Sequence, residues 1–443
     1  MPPSSPLKAV RGTRDLLPPE TALWNRIEQT AREVFARYGF GEIRTPIFEA
    51  TELFARGVGE DTDIVSKEMY TWEDRARAQS EKAQSLTLRP ENTAGVVRAY
   101  IEHKLGETGQ LQKLFYIGPQ FRRERPQRGR YRQFWQIGVE VLGPPSSGSE
   151  SPVRDAEVLE MLATLLDELG VRNWQLQLNS VGSTDDRKRY NAVLREALAA
   201  VKDRMCPDNQ RRAETNPLRV LDSKEPADQE IINSLPKIAD YLGEDSRAHF
   251  AAVLAALDAC GVPYTVNPRL VRGLDYYSRT TFEFTVPSSA DPSTGLGTQN
   301  ALLGGGRYDG LSEMLGGPKA PGIGFAIGED RLVLTLQAQA EVDAKSVAAP
   351  KLDAYIAPMG PERNAAALAL ARELRRAGLS VEVGDGTFRL KKSFEAADRV
   401  ARHIVILGED EIATNTATVK TFSTGEQVKV AKERLPQLLK SAE

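Results

Sequence analysis

Residues 337–350, QAQAEVDAKSVAAP, are alanine-rich and polar, and they divide the chain into two parts with different patterns. Beyond them strands and helices alternate: strand at 353–358, helix at 362–377, strand at 380–383, helix at 388–401 and strand at 403–407. Such alternation predicts a compact α/β domain over 351–443. The whole chain of 443 residues is also longer than one hydrophobic core normally supports, so at least two cores are expected.

The part before this linker, 1–336, reads differently. Pro18-Pro19-Glu20 opens a helix in which Trp24, Ile27, Ala31, Val34, Phe35 and Tyr38 recur at helical spacing until Gly39 and Gly41 stop it. A strand at 42–49 follows, interrupted by Pro46, which cannot donate to a ladder and marks an edge or bend. Strands at 68–73 and 85–89 flank a polar stretch, 74–84, as in a hairpin. Further strands are predicted at 114–117, 134–142 and 174–178, with a helix at 154–169. Residues 183–261 are rich in helical patterns and charge, which predicts a helical insertion. Strands resume near Tyr264, at 280–286 and 302–306, and 322–328 leads into a helix through Leu336.

The bulk numbers exclude several classes. No stretch approaches the roughly 18 apolar residues of a membrane span, and the start, MPPSSPLKAV, has no apolar core of a signal peptide, so a cytoplasmic protein is expected. Cys206 and Cys260 lack paired C-x-x-C spacing, and His103, His249 and His403 are far apart, so no protein-held metal is expected. A net charge of −3 disfavours indiscriminate binding of polyanions and leaves room for local basic patches. One is 121–132, FRRERPQRGRYR, with six arginines against one glutamate. In the C-terminal part, 352–443 carry 14 Lys/Arg and 13 Asp/Glu, so any RNA affinity there rests on charge placement, with Arg389, Lys391 and Lys392 the best cluster. The run 304–310, GGGRYDG, does not fit G-x-G-x-x-G, and no Walker A sequence occurs. Its glycines suit a strand that passes close beneath a ligand.

Long segments carry a resemblance. TLRPENTAG at 87–95, YIGPQFRRERPQRGRYRQFWQIGVE at 116–140, LVRGLDYYSR at 270–279, and GGGRYDG with GIGFAIGEDRL at 304–332 resemble, in order, the signatures of histidyl-tRNA synthetases. EIRTPIFE at 42–49 is similar to motif 1 of class II synthetases, the arginine patch to motif 2 and GIGFAIGEDRL to motif 3. LNSVGS at 178–183 and TNPLRVLD at 215–222 extend the likeness into the insertion. The resemblance implies an α+β fold: a class II antiparallel-sheet catalytic domain with a helical insertion placed to clamp an acceptor stem, plus a C-terminal α/β anticodon-binding domain. It also implies ATP and L-histidine as substrates, Mg2+ with the ATP, tRNA(His) as partner, and a homodimer built on motif 1 with the helix at 19–38.

The resemblance further implies roles, each consistent with the residue type. A histidine carboxylate is already ionised, so its attack on the α-phosphorus needs positioning and charge neutralisation, which arginine forks supply. Arg122 and Arg272 are the implied catalytic pair, flanking the α-phosphate. Arg331 and Phe134 are implied to sandwich the adenine, and Arg125 and Arg130 to reach the outer phosphates. Glu140 and Tyr277, beside Tyr276, are implied to read the imidazole, and Glu91, Thr93 and Gln136 to hold the α-amino group, with Arg272 also on the histidine side. Two positions depart from the family pattern. Asn92 stands where bacterial relatives usually have glycine, and asparagine tolerates left-handed backbone better than most residues; Trp135 stands where histidine is common. The rivals are a regulatory paralogue that has lost the arginines and the C-terminal domain, and a class II synthetase for another amino acid.

Overall fold

Helical spacing after Pro19 becomes the helix Glu20–Arg37, whose Leu23, Trp24, Ile27, Ala31, Val34 and Phe35 are buried. The computed structural model describes residues 7–59, 62–74, 83–223, 225–271, 276–287, 301–342 and 351–440. The chain divides into two compact units, Met1–Val347 and Ala348–Glu443. The helix Glu329–Val342 runs six residues into the stretch read as linker, because Leu336 and its alanine-rich successors keep helical geometry.

Pro46 does more than bend a strand. It separates β1 (Gly41–Glu42) from β2 (Phe48–Ala50), which belong to different sheets. The predicted hairpin is β3 (Tyr70–Asp74) against β4 (Gln84–Leu88), and it makes a three-stranded sheet in the order β2-β4-β3. The larger sheet adds β5 (Gln112–Phe121), β6 (Gln133–Leu142), β7 (Gln175–Ser180), β8 (Tyr264–Val266), β9 (Ser278–Thr285), β10 (Ala301–Arg307) and β11 (Gly322–Gly328). Its order is β1-β5-β6-β11-β10-β9-β7-β8, antiparallel except where β1 joins β5 and β8 joins β7. Between β7 and β8 the chain leaves the sheet for a run of helices from Thr184 to Cys260, most of them short.

One face of this sheet is covered by the helices Glu20–Arg37, Pro152–Leu169 and Glu244–Cys260, and side chains such as Phe115, Ile137, Val139, Leu176, Phe282, Phe284 and Phe325 complete that core. The period of two along each strand sends the alternate residues to the other face. Trp135 belongs to the core side, where it packs on this cluster, so its departure from the family pattern does not touch the opposite face.

The second unit is a five-stranded sheet in the order β13-β12-β14-β15-β16, from β12 (Leu352–Pro358), β13 (Val381–Val383), β14 (Ala401–Leu407), β15 (Thr416–Thr421) and β16 (Gln427–Ala431). β12 pairs parallel with β13 and β14, which requires the crossover helices Asn364–Arg376 and Leu390–Val400.

Candidate active site

The opposite face of the large sheet forms the floor of a cleft of about 1100 Å³. Glu91, Thr93, Arg122, Arg130, Phe134, Gln136, Tyr276, Tyr277 and Arg331 line it, so most residues singled out in the sequence meet there. Arg125 does not: it is exposed on the arginine loop and absent from the lining. Arg272 lies outside the described residues.

The floor is low because it is built of glycine. In the sheet, Gly138 pairs with Ala326, Gly324 with Glu140 and Gly306 with Gly324. A methyl group at Gly324 would stand 1.9 Å from a carboxylate oxygen of Glu140, and one at Gly306 would stand 2.8 Å from the Tyr277 ring. Functional side chains therefore lie across neighbouring strands where no side chain competes.

Glu140 is wholly buried and sits behind the lining. Its Oε1 accepts from Thr93 Oγ1 at 2.7 Å, and its Oε2 accepts from Tyr308 Oη at 2.6 Å. Burial pushes its carboxyl up to about 8, against the two hydroxyl donors and with help from the nearby Glu91 charge. Because the folded-state value lies above the ordinary 4.5, the native state holds extra protons. The stability this confers is complete below pH 4.5 and is lost as pH rises through about 8. Glu140→Gln should therefore gain on the parent by on the order of a few kcal/mol between those limits. Urea midpoints at both ends of the range measure this, and a gap independent of pH would mean Glu140 stays ionised.

Glu91 has a structural task as well. Its carboxylate accepts from the backbone N–H of Thr93 at 2.8 Å and of Ala94 at 2.9 Å, capping the helix Thr93–Glu102. Asn92, the N-cap residue, has φ −117° and so does not use the left-handed backbone that asparagine tolerates. Its Oδ1 instead accepts from Thr45 Oγ1 at 2.6 Å, a tie that glycine could not make.

The arginine limb lies beside this polar corner. Arg122 follows β5 directly, and its Nε donates to the Pro90 carbonyl at 2.9 Å. Its guanidinium rests 5.2 Å from the Phe134 ring centroid. Cross-strand geometry explains this: Gln120 pairs with Phe134, and Arg122 is the next residue of that face. Arg331, in the first turn of its helix, donates to the Ala301 carbonyl at 2.8 Å, and burial with the Arg130 charge pulls its pKa down.

Sequence reasoning missed three features. Tyr116 and Tyr308 line the cleft, and Arg14 ties its supports together. Arg14 donates to Glu20 at 2.7 Å and to Asp330 at 2.9 Å, and its guanidinium lies 4.7 Å from the Tyr131 ring. The arginine loop is thereby held against the helix that carries Arg331, and the Arg132 N–H donates to the Gly12 carbonyl at 2.7 Å. A tyrosine at a regular strand position gives no signal of its own, and Arg14 is separated from Asp330 by 316 positions.

Comparison with known proteins bears on this site directly. A sequence model described as histidyl-tRNA synthetase matches residues 12–332, and one described as an anticodon binding domain matches 353–442. The chain belongs to the histidyl-tRNA synthetase family. Among its relatives, a histidine–tRNA ligase of Koribacter versatilis (strain Ellin345) is 69% identical over 97% of this chain and 95% of that protein. One from Bacillus subtilis (strain 168) is 46% identical over 97% and 98%. The crystal structure of apo Staphylococcus aureus histidyl-tRNA synthetase superposes with a TM-score of 0.77 at 37% identity, covering 98% of this chain and 100% of that one. The fold is accordingly that of class II synthetases, an antiparallel-rich sheet with helices and a C-terminal anticodon-binding domain.

Proposed function

We propose that this chain is an ATP-dependent histidine–tRNA ligase, which activates L-histidine to histidyl-adenylate and transfers histidine to tRNA(His). Membership of the family supports this. The observation that carries it in the structure is one cleft with two chemistries, an arginine limb at Arg122, Arg130 and Arg331 and a polar corner at Glu91, Thr93 and Gln136.

The histidine carboxylate attacks the α-phosphorus in line, pyrophosphate leaves, and no general base is needed. Arg122, anchored by Pro90 and Phe134, follows charge on the α-phosphate, with Arg272 on the opposite side. Arg331 and Phe134 flank the adenine, and Arg130 reaches the outer phosphates. Glu91, Thr93 and Gln136 hold the ammonium, and Glu140 with Tyr276 and Tyr277 selects the imidazole. Polar recognition of this kind rejects apolar analogues by roughly 10⁴ to 10⁵, so no editing site is required. Mg2+ would arrive with ATP and neutralise phosphate charge, and Glu124 and Glu283, which line the same cleft, would be carboxylates able to hold it.

Several finer readings belong to the same proposal. They are that residues 183–261 clamp the acceptor stem, that residues 351–443 read the anticodon, that two copies associate through the motif 1 region, and that the work is cytoplasmic. No described helix is long and apolar enough to cross a membrane. A regulatory paralogue is disfavoured because Arg122 and Arg331 stand in the cleft and an anticodon-binding domain follows. Pyrophosphate exchange run separately with each amino acid should respond to histidine alone. Exchange with another amino acid would sink the specificity, and exchange with none would favour the paralogue.

A further inference from the structure

Tyr116 lines the cleft without a role in the scheme above. In the β5–β6 pairing it stands opposite Gly138, which lies between Gln136 and Glu140 on the same face of β6. A methyl group at Gly138 would stand 2.3 Å from the Tyr116 hydroxyl oxygen, so the phenol occupies the space a side chain there would fill. That position brings the hydroxyl into the gap between the two polar residues of β6.

Polar groups in this corner differ in what they have left to give. Both oxygens of Glu91 accept backbone N–H groups, and both oxygens of Glu140 accept hydroxyls. The Tyr116 hydroxyl oxygen and Gln136 Oε1, by contrast, are buried and accept no hydrogen bond among the described residues. Burial, together with the Glu140 and Glu91 charges, pushes the phenol well above its ordinary range, so it stays neutral and keeps lone pairs for a donor. Idle buried oxygens are costly, and a ligand that donates to both recovers the loss. Two neutral acceptors in front of the Glu91 carboxylate match a group with several N–H donors and a positive charge.

We propose that Tyr116 is a further substrate-binding residue, whose hydroxyl oxygen accepts one N–H of the amino-acid α-ammonium while Gln136 Oε1 accepts another. The carboxylate of Glu91 supplies the countercharge from behind. This rests on the histidine-activating reading and adds to it a residue that discriminates amines from their deaminated analogues.

The test is calorimetric binding to the full chain of histidine, of histidinol, which keeps the ammonium and lacks the carboxylate, and of imidazolepropionate, which lacks the ammonium. Tyr116→Phe keeps the ring over Gly138 and deletes one oxygen. It should weaken histidine and histidinol about tenfold and leave imidazolepropionate unchanged. Equal losses for all three ligands would overturn the assignment, as would no loss for any. Gln136→Met, read the same way, provides the second variant and should show the same selectivity. Failure of the unsubstituted chain to bind histidine or histidinol would sink the histidine reading itself, whereas an indifferent Tyr116→Phe in a chain that binds both sinks only the role of Tyr116.

Discussion

Replacing Asp155 by alanine is expected to cost the sheet-bearing unit about 3–5 kcal/mol of stability. Asp155 and Arg307 are both fully buried, and the Arg307 guanidinium donates to Asp155 through Nε at 3.0 Å and Nη2 at 2.5 Å. Arg307 Nη1 also donates to the Ser149 carbonyl at 2.9 Å and to Asp309 at 3.0 Å. An arginine cannot shed its proton to escape the loss, and its carboxylate partners hold its pKa above the ordinary value despite burial. Removing Asp155 therefore leaves a buried cation with only the partly exposed Asp309 as countercharge. All four tryptophans, Trp24, Trp72, Trp135 and Trp174, precede residue 347, so their fluorescence in urea follows this unit alone. Asp155→Ala with Arg307→Met should lose less than the two single changes summed, because the double variant buries no orphaned charge. A loss under about 1 kcal/mol for Asp155→Ala would show that Asp309 neutralises Arg307 unaided. Activity should fall as well, since Arg307 immediately precedes Tyr308, which donates to Glu140.

That ion pair marks where reading the sequence stops. Period and punctuation located the elements: the predicted strand at 134–142 is β6, and the predicted helix at 154–169 is Pro152–Leu169. These signals are local. The arginine loop was legible for the same reason, because its charge density lies within a dozen consecutive residues. Arg307 and Asp155 are 152 positions apart, and each alone reads as a surface charge. Register was equally silent: nothing local says that Tyr116 faces Gly138, or that Gly324 leaves room for Glu140. The chain from 42 to 49 misled for a related reason, since a proline break and a change of sheet leave one trace in sequence. Arg125 fell outside the cleft because alternate residues of an extended loop point apart, and charge density does not record which ones turn inward.

Arg122→Ala should slow adenylate formation by about 10³-fold at saturating ATP and histidine, the largest effect on activity expected of a described residue. The side chain is held in place before substrate arrives, by Pro90 through Nε and by the Phe134 ring, whose centroid lies 5.2 Å from its guanidinium carbon. A cation fixed in this way pays little reorganisation when charge builds on the α-phosphate, so its contribution belongs to the transition state more than to binding. Single-turnover rates should then fall far more than the affinity for histidine, whose proposed contacts lie in the corner of Glu91, Thr93 and Gln136. Arg122→Lys should recover only part of the loss, because an ammonium lacks the planar fork and would leave the Pro90 carbonyl and the Phe134 face without their fitted partner. The thermal midpoint should barely move, since Arg122 is partly exposed. An unchanged single-turnover rate with a raised KM for ATP would reassign Arg122 to ground-state binding and place the electrophilic work on Arg272 or Arg331.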